Sequence, residues 1–188
     1  MIQETVFQKI KADIHSFARA DGDPVNLKLI IRLFFITAGF QFVFARRVQE
    51  ILEKVPVVGK PLRRIWWWLT CLIFSSEIAI DTRTAGGLYI PHPYGIVIGA
   101  ATLHANVTVL QNVTIGKRGK ADASDPVIGE NVFLGAGCVV LGGVTLGKGS
   151  SVGANSVLLI DLPEGATAIG IPAKIRLAQN AQTITAIA

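Results

Sequence analysis

Three histidines are the side chains best suited to acid–base chemistry in this chain: His15, His92 and His104. A neutral imidazole can take the proton of a hydroxyl group near neutral pH and so turn a poor nucleophile into a good one. The two thiols, Cys71 and Cys138, sit in different contexts and do not have the spacing of a metal site. No metal is therefore predicted, and the isolated cysteines indicate a reduced, intracellular protein.

The composition favours a folded protein that does not bind nucleic acid. The chain has 188 residues, of which 51% are hydrophobic and 16% are charged, and its net charge is +5. This is enough for one domain, or for one domain with a small appendage. No basic stripe carries interleaved aromatic residues, so no nucleic-acid partner is predicted. A modest positive charge suits an anionic ligand.

Two apolar runs bear on membrane contact. Residues 33–45 and 65–74 both fall short of the roughly 20 residues that a spanning helix needs, and the N-terminal segment lacks the apolar core of a signal peptide. Tryptophans at positions 66–68 follow Arg63 and Arg64. Such a segment can lie on a membrane surface, although packing against helices or subunits explains it as well. We expect a cytoplasmic protein, with the inner face of the membrane as the alternative location.

The chain divides near Ser75 into a helical part and a repetitive part. We predict an α-helical N-terminal region over residues 1–75, with helical segments at 13–20, 27–54 and 62–74. The first break falls at residues 21–24, where a glycine and a proline disfavour a helix.

A six-residue period dominates the second part. Apolar residues recur at this interval, at Ile128, Leu134, Val140, Leu146, Val152 and Leu158. A small or β-branched residue follows four positions after each of the first five, at Val132, Cys138, Val144, Ser150 and Ser156. Ile80, Ile98 and Leu110 fall in the same phase upstream. This pattern is typical of stacked coils with three flat faces, in which the large residues point inward. We predict a parallel β-helix over residues 76–175 and a C-terminal tail over 176–188.

Two features disturb this period. Residues 117–126 are polar and break it, so we predict a protruding loop, which in repeat proteins is either functional or simply solvated. In strict phase, His92 and His104 occupy inward positions. From the residues alone we expect a buried structural role for His92 and a corner or subunit contact for His104, while irregular first coils, beside two prolines, would let His92 reach a cleft.

The repeat resembles that of the hexapeptide-repeat acyltransferases, and nearly the whole chain is similar to the short serine acetyltransferases. The matching segments are Asp13-Ile14, Asp23-Pro24, Gly39-Phe40, Ala45-Arg46-Arg47-Val48, Glu77-Ile78, Ile90-Pro-His-Pro-Tyr-Gly-Ile-Val-Ile-Gly99, Val113-Thr-Ile-Gly116, Gly135-Ala136-Gly137, Gly153-Ala-Asn-Ser-Val157 and Gly170-Ile-Pro-Ala-Lys174. Their order and spacing both agree with that family. The resemblance implies an α+β fold, in which an N-terminal α-helical segment precedes a β-helix that is left-handed.

The resemblance also implies an enzyme, an acetyl-CoA-dependent O-acetyltransferase that needs no metal. In that family a histidine at the position of His92 takes the proton from the acceptor hydroxyl, and a carboxylate at the position of Glu77 orients it. A carboxylate in that role fixes the imidazole tautomer and stabilises the imidazolium. The implied cofactor-binding residues are Gly116, Gly135, Ala136, Gly137, Ala154 and Lys174. The small ones would line the pantetheine channel, and Lys174 either meets the coenzyme A phosphates or is simply solvated.

The acceptor site departs from the family. Serine acetyltransferases carry an aspartate where this chain has Pro91, and an Arg-His pair where it has Ser124-Asp125. Asp125 would repel the carboxylate of serine, which argues against serine as the substrate. Asp23 matches the remaining acceptor-side aspartate, so we expect Asp23 and Asp125 to bind the acceptor.

A second resemblance suggests a different acceptor. The segments Thr114-Ile-Gly-Lys-Arg-Gly119 and Pro126-Val-Ile-Gly129 look like those of enzymes that acetylate sugars in colanic acid and capsular polysaccharide synthesis. We therefore predict acetylation of a sugar of a surface polysaccharide or its precursor. The alternatives are a serine O-acetyltransferase of cysteine biosynthesis and a non-catalytic trimeric β-helix scaffold. The resemblance implies a homotrimer, with a hexamer as the alternative, and peripheral membrane contact suits a lipid-linked glycan.

Overall fold

Four helices precede a series of very short strands. The computed structural model describes residues 4–119 and 124–177. The helices are α1 (Val6–Asp21), α2 (Leu27–Phe35), α3 (Ala38–Leu52) and α4 (Gly59–Phe74). The strands of the described ranges are β1 (Glu77–Ile78), β2 (Arg83–Thr84), β3 (Val97–Ile98), β4 (Thr102–Leu103), β5 (Thr108–Val109), β6 (Thr114–Gly116), β7 (Val127–Ile128), β8 (Phe133–Leu134), β9 (Val139–Leu141), β10 (Thr145–Leu146), β11 (Ser151–Val152), β12 (Val157–Leu158), β13 (Thr167–Ile169) and β14 (Lys174–Arg176).

Local sequence signals set the helix ends. Thr5 and Gln8 form a capping box at the start of α1, and Gly22 ends that helix in the left-handed conformation. The predicted break at residues 21–24 is therefore confirmed. The single helical segment predicted over residues 27–54 is wrong, because the chain turns between α2 and α3. The last helix begins at Gly59, three residues before its predicted start.

The strands form three sheets that run along the three faces of a β-helix. Sheet A contains β1, β3, β6, β9 and β12 in that order, sheet B contains β2, β4, β7 and β10, and sheet C contains β5, β8, β11, β13 and β14. Pairing is parallel throughout these sheets except between β13 and β14. Each coil therefore contributes one strand to each face, as the six-residue period predicts.

The predicted inward positions of the later coils are confirmed. All six residues of the main phase, from Ile128 to Leu158, have no exposed side-chain surface. The five companions four positions later are buried too. Because the coils stack directly, each large residue packs on its equivalents in the coils above and below.

The strict phase places Ile98 correctly but is wrong at other positions of the earlier coils. The inward residues there are Ile78, Thr84, Ile90, Ile98, Leu103, Val109 and Ile115, all buried. Ile80, Leu110 and His104 are not inward, since Ile78, Val109 and Leu103 take those places. Three irregular spacings explain the difference: that from Ile90 to Ile98 is two residues longer than a hexapeptide, that from Ile98 to Leu103 is one shorter, and that from Ile115 to Ile128 is seven longer. Part of the second insertion, the loop predicted at 117–126, lies outside the described residues.

The helices and the β-helix share one hydrophobic core. Phe17, Leu33 and Phe40 belong to the same buried cluster as Leu88 and Ile90. The ring of Phe17 makes edge-on contacts with Phe40 and, across the junction, with Tyr89, whose centroid is 4.8 Å away. The helices thus close the first coil of the β-helix. The division into residues 1–75, 76–175 and 176–188 stays a prediction, and most of the tail lies outside the described residues.

No single helix within residues 4–119 and 124–177 combines the length and apolar character needed to cross a membrane. One consecutive pair, α2 with α3, meets that requirement only when taken together, and its two helices meet at 81°.

Shortening one inward residue should test the stacked core. We expect Leu146→Ala to lower the free energy of unfolding by about 2–5 kcal/mol, because it removes buried methyl groups and leaves a cavity between coils. The neighbouring Thr145 is exposed, so Thr145→Ala should stay within about 0.5 kcal/mol of the parent. Urea unfolding of both variants measures the difference, and equal losses would contradict the inward assignment.

Candidate active site

His92 lies at an enlarged corner of the first complete coil. The corner joins sheet C to sheet A and holds the two extra residues between Ile90 and Ile98. Ile90 and Ile96 are buried on either side, whereas the side chain of His92 is exposed. The extra length lets the imidazole leave the inward phase. The buried position predicted from strict phase is therefore wrong, and the irregular coil expected there is present.

The preceding segment fastens this corner. The hydroxyl of Ser76 donates to the carbonyl of Pro93 and accepts from the amide of Ile96, both at 3.0 Å. The amide of Gly95 donates to the carbonyl of Ser75 at 3.2 Å. Glu77 follows directly and pairs with Val97 on sheet A. The strand that carries Glu77 thus lies beside the corner that carries His92.

The two predicted catalytic side chains do not form a direct bond. Among the described residues, no hydrogen bond or ion pair joins Glu77 to His92. Burial raises the pKa of the Cys71 thiol on α4, and the negative charge of Glu77 raises it further by a smaller amount. The pairing of Glu77 with His92 therefore stays a prediction.

Corners of successive coils stack into one continuous edge, which we call the histidine edge. It consists of residues 91–95, 110–113, 135–138, 153–156 and 170–173. Hydrogen bonds join each corner to the next, from Asn112 N to Tyr94 O at 2.9 Å, from Gly137 N to Gln111 O at 2.9 Å, and from Asn155 N to Ala136 O at 2.8 Å. Coil spacing of about 4.8 Å places the fourth corner some 14 Å from the first.

Most predicted cofactor-binding residues lie on this edge. Gly135, Ala136 and Gly137 form its third corner and Ala154 lies in its fourth. Lys174 begins β14 directly after the fifth corner, and its side chain is exposed. A long, narrow ligand could therefore run from His92 to Lys174 along the edge.

The glycines of the edge have a structural use as well. A side-chain carbon at Gly135 would lie 2.7 Å from the amide of Ala154, and one at Gly137 would overlap the side chain of Asn155. Their small size is therefore needed for coil-on-coil contact. Gly116 differs, since a carbon there would meet open space.

Gly116 and Asp125 lie on a different edge. The strand β6 ends at Gly116, and the loop that contains Asp125 leads from there to β7 of sheet B. Sheet A therefore separates these residues from His92 within one chain. The carboxylate of Asp125 forms an ion pair with Lys117 at 3.1 Å, and both side chains are well exposed.

Asp23, the other predicted acceptor ligand, lies between α1 and α2. It forms an ion pair with Arg32 at 3.0 Å, and Arg32 also pairs with Asp21. The structure thus does not bring Asp23 and Asp125 together. His104 is exposed at the corner between sheets B and C, away from the histidine edge.

A buried ionic cluster supports the coil before His92, and no role had been predicted for it. Asp13 accepts hydrogen bonds from the amides of Gly87 and Leu88, at 2.8 and 3.0 Å, and from two nitrogens of Arg47. Arg47 also donates to Glu50 at 2.8 Å. Asp13 and Arg47 both lie in segments that match the family, and this match was the only sign in the sequence that they have a role.

Opposing effects set the ionisation of this cluster. Burial raises the pKa of Asp13, and its bonds from Arg47 and the backbone counteract that rise. Burial disfavours the charge on Arg47, but Asp13 and Glu50 outweigh it and raise the pKa of the guanidinium. Burial acts against the charge on Glu50 also, yet Arg47 and Lys9 lower its pKa overall. A charged Arg47 therefore ties α1 and α3 to the first coil.

Gly39 provides the closest approach of a helix to the His92 corner. A side-chain carbon there would overlap the carbonyl oxygen of Ile90 and lie 2.9 Å from that of Pro91. The first turn of α3 thus rests on the backbone immediately before His92. In the sequence Gly39 stands out only as a match to the family, and nothing there indicates its contact with the backbone beside His92.

Within the described residues, no group of three or more histidine, cysteine, aspartate or glutamate side chains could hold a metal ion.

Comparison with known proteins fits this geometry. Residues 125–159 match the family described as bacterial transferase hexapeptide, six repeats. The chain is 31% identical over 182 residues to a serine acetyltransferase of Bacillus licheniformis, covering 95% of this chain and 81% of that protein. This chain belongs to the serine acetyltransferase family. The predicted enzyme class, an acyltransferase with acetyl-CoA as co-substrate, is confirmed, and so is the left-handed β-helix after helices.

Two solved structures of the serine acetyltransferase family are similar in fold. One is a serine acetyltransferase in complex with CoA, with a TM-score of 0.79 and 28% identity, covering 91% of this chain and 69% of that chain. The other is soybean serine acetyltransferase complexed with serine, with a TM-score of 0.78 and 33% identity and the same coverage.

Gly39→Ala should show whether the contact between α3 and the His92 corner is needed for catalysis. Alanine in a helix is normally more favourable than glycine by about 1 kcal/mol, but here the added carbon must push the backbone beside His92. We expect kcat to fall at least about tenfold while the KM for acetyl-CoA changes little, because the fourth and fifth corners are distant. Steady-state kinetics measures this split. Gly119→Ala, at a site with open space, is the matched control and should leave both constants unchanged.

Proposed function

We propose that this chain transfers the acetyl group of acetyl-CoA to an acceptor hydroxyl, with His92 as general base and L-serine as the first candidate acceptor. The exposed imidazole at the enlarged corner carries the proposal, since it stands at one end of the histidine edge. Membership of the serine acetyltransferase family supports serine.

The transfer follows from what an imidazole can do at this position. His92 takes the hydroxyl proton as the acceptor oxygen attacks the thioester carbonyl, which forms a new C–O bond and a tetrahedral intermediate. The intermediate collapses, the C–S bond breaks, and the departing thiolate of coenzyme A takes the proton from the imidazolium. Glu77, once turned towards His92, orients the ring and stabilises its positive charge.

The histidine edge supplies a path for the donor. Ala136, Gly137 and Ala154 would contact the pantetheine arm, and Lys174 would meet the phosphates at the far end. Lys174 is exposed on β14, as is Arg176, and both lie far from His92, so their effect should appear in the affinity for acetyl-CoA rather than in the chemical step.

The acceptor preference drawn from the sequence gains no support from the comparisons, which favour the serine alternative over the sugar of a surface polysaccharide. Serine was disfavoured in the sequence because Pro91 replaces an aspartate of the family, because Ser124-Asp125 replaces an Arg-His pair, and because Asp125 would repel the serine carboxylate. Lys117 pairs with Asp125 at 3.1 Å and so offsets that repulsion, and the remaining donors of its exposed ammonium can contact a substrate carboxylate. A sugar hydroxyl remains the second candidate, on the observation that Pro91, Ser124 and Asp125 stand where the family has its serine-binding set.

The number of copies in the assembly affects how the acceptor site is formed. Asp125 and His92 lie on opposite sides of sheet A in one chain, so an acceptor held by both needs a second copy. We propose a homotrimer, the arrangement implied by the family resemblance, with a hexamer as the alternative. Light scattering of the purified chain distinguishes the two.

Replacement of the base should abolish transfer and spare donor binding. His92→Ala removes the proton acceptor, so we expect kcat to fall by about 10²–10⁴-fold. Release of the coenzyme A thiol measures turnover, and calorimetry measures acetyl-CoA affinity, which should stay within about twofold. His104→Ala, an exposed histidine at another corner, is the control. Equal activity of both variants would remove His92 from the mechanism.

Comparison of kcat/KM for different acceptors identifies the substrate. We expect L-serine to give a kcat/KM at least about tenfold above that of hexoses and nucleotide sugars, because binding of its carboxylate by Lys117 positions the hydroxyl. Lys117→Ala should raise the KM for serine and leave that for acetyl-CoA unchanged. Efficient acetylation of a sugar with no turnover of serine would instead establish the second candidate.

A further inference from the structure

Helix α4 presents an apolar outer face that the rest of the chain does not cover. Its exposed residues, the α4 outer face, are Leu62, Ile65, Trp68, Leu69, Leu72 and Ile73. They recur at three- and four-residue intervals, so they form one stripe along the helix. Trp68 is 54% exposed and Ile73 is 71% exposed, values unusual for residues this apolar.

The opposite side of α4 is firmly held, so the outer face has a fixed orientation. The indole N–H of Trp66 donates to the carbonyl of Ala45 at 2.9 Å. Arg63 donates to the carbonyl of Ile80 at 2.7 Å and pairs with Glu53 at 3.1 Å. Thr70 and Phe74 are buried on the same side. The stripe therefore cannot turn inward without breaking these contacts.

The charges on α4 itself have a single sign, although Glu53 and Glu77 lie just outside the helix and Glu53 pairs with Arg63. From Lys54 to Ser76 the sequence contains four cations, Lys54, Lys60, Arg63 and Arg64, and no aspartate or glutamate. Lys60 and Arg64 are exposed, and neither forms an ion pair within the described part of the chain. The two free cations lie at the N-terminal end of the stripe, beside its first apolar residues.

A small cavity lies at this basic end. Arg64, Ile65, Trp67 and Trp68 line it, and its volume is about 300 Å³. The indole N–H of Trp67 is buried and has no acceptor among the described residues. Indole rings with an apolar body and a polar edge favour the boundary between hydrocarbon and water.

We propose that the α4 outer face docks on a phospholipid surface that carries anionic headgroups, with the helix lying in the plane of that surface. The apolar stripe enters the boundary of the acyl chains, while Lys60 and Arg64 meet the headgroup phosphates. A parallel two-fold contact between two copies through this face would bring the same cations together, which charge repulsion opposes. An antiparallel contact would place Lys60 and Arg64 beside Leu72 and Ile73 of the other copy, where the helix offers no anionic partner. A lipid surface supplies both the apolar and the anionic partner at once.

Intrinsic fluorescence offers a direct test, because all three tryptophans of the chain belong to α4. The purified full chain is mixed with vesicles of phosphatidylcholine and phosphatidylglycerol in equal parts, and with vesicles of phosphatidylcholine alone. We expect a blue shift of the emission and co-sedimentation with the mixed vesicles, both weakened by high salt. The same response to both vesicles, or to neither, would overturn the proposal.

A variant of the two free cations and a matched control sharpen the test. Lys60→Glu with Arg64→Glu should lower the vesicle affinity at least about tenfold. Lys11→Glu with Arg19→Glu alters net charge equally, at exposed positions on α1, and should retain most of the affinity. An equal loss in both would mean non-specific attraction and would contradict a defined docking face.

A third variant distinguishes lipid from a second copy. Ile65→Ser with Leu72→Ser should abolish vesicle binding while circular dichroism and the mass from light scattering stay unchanged, since both side chains are exposed. A smaller assembly in this variant would show that the face joins copies of the chain, and the lipid proposal would then be wrong.

Discussion

Stacking of one coil on the next is the constraint on which the whole molecule depends. Each strand is two or three residues long, and most backbone groups of a coil find their partners only in its neighbours. A terminal coil would therefore leave amides unpaired and an apolar edge open. The helices solve this at the first coil. Asp13 accepts from the amides of Gly87 and Leu88, and Phe17 and Phe40 cover the apolar edge.

The same constraint gives the active site its geometry. Since the coils repeat at a fixed spacing, residues at equivalent corners line up along one edge, although they are distant in sequence. Additions to the chain are tolerated only where they leave the inward residues in register. Both insertions in this chain occur at corners, and both involve predicted site residues: His92 in one and Asp125 in the other. Functional groups thus appear where the repeat departs from its period, while the stacked core stays unchanged.

Much of this was visible in the sequence, and the failures have definite causes. A six-residue period over the later coils defines the inward residues without ambiguity, because no other regular structure repeats that way. Earlier in the chain the period is broken by two insertions and one shortened step, and strict counting assigned Ile80, Leu110, His92 and His104 to places that Ile78, Val109, Ile90 and Leu103 occupy. Insertions of two and seven residues cannot be counted until the inward residues are known.

The contacts of Arg47 and Gly39 join segments far apart in sequence, so periodicity offered no signal for them. The resemblance to a family supplied the candidates His92 and Glu77, yet it could not show that their side chains are unbonded in this conformation.

The end of the β-helix carries a further consequence. A stack of parallel coils with an open last rung would be a template for fibre growth, because a second molecule could continue the ladder. In this chain β14 reverses direction and pairs antiparallel with β13, so it covers the outer edge of sheet C. The amide of Ala173, within the same hairpin, donates to Val157 at the end of sheet A, and Leu162 bridges to Leu146 on sheet B. The hairpin thus occupies the end of sheet C, which leaves fewer free backbone groups to which a second molecule could add.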